Sequence, residues 1–163
     1  MKYDYFTFTH NGRDYVAELH FDQHHGAPWE ECDGHGPVSD WTTRDKRPGE
    51  LILNAERRAY RYYDFQEACA IARRDGWNAP PYIIPGETKR AKAARAALAD
   101  YNYLRAWCND DWHYCGIIVR LENTCECCGD TESLWGIEAN CDDYLKDVAT
   151  ELAEELETRK IAA

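Results

Sequence analysis

The sequence has no run of about 18 apolar residues, the length that a membrane-spanning helix needs, so no span is expected. Its first ten residues, MKYDYFTFTH, lack the charged-then-apolar layout of a secretory signal, and the chain is therefore expected to act in the cytoplasm. It is short of positive charge. Nineteen Lys and Arg face 30 Asp and Glu, a net charge of −11 that argues against direct binding to bare nucleic acid or to an anionic membrane. No GxSxG elbow, HExxH pair, Walker loop, RNP signature or helix-turn-helix pattern occurs, which removes the commonest hydrolase, zinc-protease, nucleotide-binding and nucleic-acid-binding motifs.

What remains is 163 residues, 44% hydrophobic and 13% aromatic, enough for one sizeable core and expected to form a single domain over 1–163. Eight cysteines would suggest disulfides in a short exported chain. With no export signal in view, reduced thiols or a metal site are the expectation.

Tyr3–His10 and Arg13–Phe21 are β-rich runs separated by Asn11-Gly12, a pair that tolerates the positive φ of a tight hairpin turn. Residues 22–47 show neither period 2 nor period 3.6 and are rich in turn formers, so they read as one long loop. A second hairpin is expected at Glu50–Leu53 and Ala59–Tyr63. Asp64, with Glu67 three residues on, should then cap a helix to about Arg74 that buries Phe65, Ala68, Cys69 and Ala72. After a proline-containing connection, Ala94, Ala97, Leu98, Tyr101, Leu104 and Cys108 recur at helical spacing in a helix from about Thr88 to Cys108. A third hairpin is expected at Trp112–Leu121 and Ser133–Glu138. Asn140 should cap a last helix to about Arg159, with Leu145, Val148, Leu152 and Leu156 as its stripe. The predicted class is α+β: one antiparallel sheet of three hairpins, with three helices mainly on one face.

Charge is uneven along the chain. Residues 1–56 carry 11 acids and 5 bases, 57–120 carry 7 and 11, and 121–163 carry 12 and 3. In the last helix Asp143, Asp147, Glu151 and Glu155 follow at i, i+4 steps, with Asp142 and Glu154 beside them. At a rise of about 1.5 Å per residue a carboxylate recurs roughly every 6 Å, close to the spacing of phosphates along a strand. Such a face is either an ordinary solvated surface or a partner-binding one. Like charges at these steps oppose the helix slightly, which favours the second. The basic middle, with Arg57, Arg58, Arg61, Arg73, Arg74, Lys89, Arg90, Lys92 and Arg95 among tyrosines, either pairs internally or touches a nucleic-acid strand.

Two groups hold metal-ligating residue types. Cys125, Cys127 and Cys128 lie in one turn but lack the second knuckle of a zinc ribbon. In the long loop His24, His25, Cys32 and His35 stand among carboxylates, with Asp40 and Trp41 close by, in no recognised ligand spacing. Gly34, Gly36 and Pro37 fix the path of that loop, and Trp41 is its expected docking point.

The runs Gly34-His35-Gly36-Pro37-Val38-Ser39-Asp40-Trp41, Arg44-Asp45-Lys46-Arg47-Pro48-Gly49-Glu50 and Ser133-Leu134-Trp135-Gly136-Ile137-Glu138 resemble segments of small uncharacterised proteins of tailed bacteriophages and prophages. The resemblance implies a viral origin and action in the bacterial host cytoplasm. Small acidic phage proteins of this kind are similar in role to antirestriction or anti-CRISPR inhibitors. The leading expectation is thus a non-enzymatic accessory protein with no cofactor. It would bind a host or defence protein with a basic surface through Asp142, Asp143, Asp147, Glu151, Glu154 and Glu155. The alternatives are a metal-dependent enzyme or zinc-stabilised domain using the 22–40 loop or the Cys125 cluster, and a phage nucleic-acid metabolism factor acting through the basic middle.

Overall fold

The computed structural model describes residues 1–124 and 129–162. Along the chain run β1 (Lys2–His10), β2 (Arg13–Phe21), α1 (Pro28–Glu31), β3 (Val38–Thr42), β4 (Glu50–Glu56), β5 (Ala59–Asp64), α2 (Phe65–Asp75), α3 (Lys89–Cys108), β6 (Tyr114–Leu121), β7 (Thr131–Glu138) and α4 (Asp142–Ala162). The protein is mixed α+β, with two antiparallel sheets, and it divides into two compact units. Unit 1 is Met1–His25 with Trp112–Ala163, and unit 2 is Gly26–Asp111.

Unit 1 is a four-stranded sheet in the order β1-β2-β6-β7 with α4 laid on one face. The β1–β2 turn has φ of 48° at Asn11 and 75° at Gly12, the left-handed pair that a two-residue turn demands. Alternation then sorts the strands. Tyr15, Ala17 and Leu19 of β2 and Cys115, Ile117 and Val119 of β6 all point to the α4 side. They meet Leu145, Val148, Ala149, Leu152, Ala153 and Leu156, the buried stripe of α4. Where β7 pairs with β6 the register slips between Cys115 and Ile117, so that Trp135 and Gly136 together face Gly116. Gly136 takes the left-handed φ of 75° this bulge needs, and the Trp135 ring fills the space that a side chain at Gly116 would occupy.

Unit 2 holds a three-stranded sheet, β3-β5-β4, with α2 and α3. Asp64 caps α2, its carboxylate accepting the Glu67 N–H at 2.9 Å, and the Thr88 hydroxyl accepts the Ala91 N–H at 3.1 Å to start α3. The facing surfaces of the two helices are alanine, with Ala68 and Ala72 on α2 and Ala93, Ala96 and Ala97 on α3 buried, which permits close approach. Leu53, Tyr63, Ala68, Ala97 and Leu104 form the core, flanked by Trp29, Val38, Phe65 and Tyr101.

Three expectations are corrected. Among the described residues there are two sheets and four helices, not one sheet with three helices, because the segment 22–47 is not loop throughout. It contains the one-turn α1 and the short β3, and β3 pairs with β5, which gives the second hairpin its own sheet. Five residues are too few for an alternation to stand out in sequence. The stripe of α3 stands in part where expected, with Ala97 and Leu104 buried and Tyr101 and Cys108 packed on the same core, but it widens to Ala93 and Ala96 and leaves out Leu98, which is 46% exposed. Asn140 does not cap α4. It lies in the turn before Asp142, and its amide donates to Glu138 Oε2 at 2.9 Å.

Candidate functional site

At 100° per residue, the buried stripe of α4 fixes where its acids stand. Taking Asp143 as origin, Glu154 and Asp147 fall within about 40° of it and Glu151 at about 80°, while Leu152 and Leu156 fall near the opposite pole. Asp142, Asp143, Asp147, Glu151, Glu154 and Glu155 are all exposed. Some carboxylates are engaged within unit 1. Glu154 is 3.7 Å from His10 Nε2, and the exposed Asp143 is 3.7 Å from Lys146 Nζ. Glu157 accepts from Asn11 Nδ2 at 2.9 Å and from Tyr15 Oη at 2.8 Å, and these bonds hold its carboxyl below the usual glutamate range. Asp147 and Glu151 extend the face as exposed charge, while Glu155 at about 120° and Asp142 at about 100° the other way stand exposed on its two flanks.

Beside this face lies a feature that the sequence reading did not single out. Leu134, Trp135, Gly136, Ile137, Glu138, Asn140, Cys141 and Tyr144 line a groove of about 400 Å³ along β7, the terminal strand of its sheet. Leu134 is 45%, Trp135 46% and Tyr144 50% exposed, so three large apolar side chains border the acidic start of α4. The adjacent apolar pair Leu134-Trp135, followed by glycine, was a legible sign of the bulge. That the two would stay exposed was not.

The long-loop residues are dispersed among different surroundings. His24 donates its backbone N–H to Asp22 Oδ1 at 3.0 Å, and the His25 ring lies 3.8 Å from that of Tyr114. Cys32 is exposed. His35 Nδ1 is 2.6 Å from Asp100 Oδ1, and Asp100 Oδ2 accepts from the Gly36 N–H at 2.8 Å and the Tyr63 hydroxyl at 2.7 Å. Burial, and then the Asp100 charge, push the Tyr63 phenol far above its ordinary value, so it stays a donor. A Cβ on Gly36 would stand 2.5 Å from Tyr63 Oη, which explains a glycine there. Asp40 accepts from Arg61 Nε at 2.5 Å, and the Arg61 guanidinium lies 4.3 Å from the Trp41 ring, 5.3 Å from Trp29 and 5.7 Å from Trp107. Trp41 thus docks the segment on β5 through Arg61.

The Arg44–Glu50 run is a clamp. Glu50 is 5% exposed, receives both Arg44 Nη atoms at 2.5 and 2.8 Å, and accepts the Arg47 N–H at 2.7 Å. The Arg44 hydrogen bonds hold its carboxyl below the usual range against the opposing effect of burial.

Among the described residues no three His, Cys, Asp or Glu side chains converge as ligands for a metal, so the loop set His24, His25, Cys32 and His35 does not form one. Cys125, Cys127 and Cys128 lie outside the described residues. Among the described residues no helix is long and apolar enough to cross a membrane. Set against protein-family models, curated proteins and solved structures, the chain matches none of them.

Proposed function

We propose that the protein is a non-enzymatic accessory protein of bacteriophage type. In this reading it acts in the host cytoplasm and binds a basic, nucleic-acid-directed protein through unit 1, in the manner of an antirestriction or anti-CRISPR inhibitor. The observation that carries the reading is the exposed carboxylate face of α4 adjoining the groove of Leu134, Trp135 and Tyr144. Charge of one sign attracts a basic surface from a distance and makes association sensitive to salt. Exposed Trp, Tyr and Leu beside it supply apolar anchors of the kind that dominate protein interfaces. A carboxylate roughly every 6 Å lets the helix occupy a groove shaped for a nucleic-acid backbone.

The test is comparative capture from bacterial lysate at low and high salt. The baits are the wild-type chain and a variant with Asp143, Asp147, Glu151 and Glu155 all changed to lysine. A specific partner should bind the wild type at low salt, be displaced by added duplex DNA, and be lost with the variant, whose circular dichroism should be unchanged. Equal capture by both baits, or indifference to DNA, would sink the reading.

A further inference from the structure

A second surface, on unit 2, has the opposite charge and its own cavity. Residues 70–95 hold six bases and two acids, and both acids are engaged. Asp75 pairs with Arg74 at 2.7 Å, and Glu87 receives Arg95 through two bonds of 2.8 Å. Between the end of α2 and the start of α3 lies a cleft of about 250 Å³ lined by Ala72, Arg73, Gly76, Trp77, Lys89, Lys92 and Ala93. Its construction follows from one backbone feature. Gly76 takes a left-handed φ of 72°, and the chain folds back so that the Trp77 N–H bonds the Ala72 carbonyl at 2.9 Å. That turn sets an indole beside an alanine wall, with three cations around the opening. Arg90, exposed in the first turn of α3, continues the positive charge beyond the cleft, and Tyr82, 64% exposed, adds an aromatic on the connection from Trp77 to Lys89.

We propose that this cleft binds single-stranded nucleic acid, an unpaired base stacking on Trp77 while Arg73, Lys89 and Lys92 hold the flanking phosphates. An aromatic face with adjacent cations is the general chemistry of sequence-tolerant strand binding. A cleft of about 250 Å³ is on the scale of one base, a duplex offers no unpaired base to stack in it, and the cations outside it favour a continuing backbone over a lone mononucleotide. The net charge of −11 does not oppose this. Unit 1 carries sixteen acids against six bases, and unit 2 fourteen against thirteen, so nearly the whole deficit belongs to unit 1.

The test is fluorescence anisotropy of labelled oligothymidylate, oligouridylate and a mixed-sequence duplex with the full chain. Expected is binding of one or both single strands in preference to duplex, with whichever is tighter naming the strand class. The slope of log affinity against log salt should be about −2, from about −0.7 per phosphate neutralised. Arg73→Glu with Lys89→Glu, both at exposed positions, should weaken binding at least about tenfold, whereas Arg57→Glu with Arg58→Glu in the β4–β5 turn should change it less than about twofold. Trp77→Leu should lower affinity while leaving the salt slope in place. No binding at about 50 mM salt, duplex bound as tightly as single strand, equal loss in both charge variants, or full affinity in Trp77→Leu would each overturn the proposal.

Discussion

At the scale of single residues, the groups that most resembled a reactive site serve to pin the chain. His35 and Gly36 fasten to Asp100, Asp40 and Trp41 to Arg61, and Arg44 to Glu50. The last of these predicts a pH dependence. The carboxyl of Glu50 titrates lower in the folded chain than in the unfolded one, chiefly through Arg44. Its contribution is therefore fully present above the ordinary glutamate range and lost as pH falls through the lower folded-state value. Thermal melts of wild type and Glu50→Gln across pH should show the variant less stable at neutral pH, with the two curves converging in acid. Parallel curves would mean that Glu50 is not held in this way.

Elements were more legible than their assembly. The Asn11-Gly12 turn, the Asp64 cap and the Leu145, Val148, Leu152 and Leu156 stripe are local rules of turn chemistry, capping and periodicity, and each stands where those rules put it. Asn140 shows their limit, since a residue with capping chemistry found a partner in Glu138 instead. The expected stripe of α3 holds at Ala97, Tyr101, Leu104 and Cys108 and fails at Leu98, because in a helix with many alanines the small residues do not mark the edge of the buried face. For α4 the packing has a measurable consequence. Leu152 is 6% exposed in the core that α4 forms with the sheet of unit 1, so Leu152→Ala should cost about 2–5 kcal/mol in chemical denaturation. A loss below about 0.5 kcal/mol, the scale of a surface change, would show that α4 does not hold unit 1 together.

Across the whole molecule, charge is sorted between the two units; the segment counts show the acidic end and the basic middle, but not that 1–25 joins 112–163 in one unit. Self-repulsion within a unit of sixteen acids and six bases should be relieved by screening. The melting temperature should therefore rise as sodium chloride goes from about 10 mM to about 150 mM, where the Debye length shrinks to about 8 Å. A fall would show that screened ion pairs such as Lys2–Glu18 and Arg120–Glu18 outweigh the repulsion.

The sequence by itself determined the α+β class, the three hairpins, the main helices and the acidic face of α4, because each depends on residues within a turn or two of one another. Tertiary structure alone decided the pairing of β3 with β5, the partners of His35 and Arg61, the exposed groove at Leu134, Trp135 and Tyr144, and the cleft at Trp77. Those features depend on side chains meeting across long stretches of chain, as Asp100 meets Gly36, and on which apolar residues the packed core leaves uncovered. No local period encodes either.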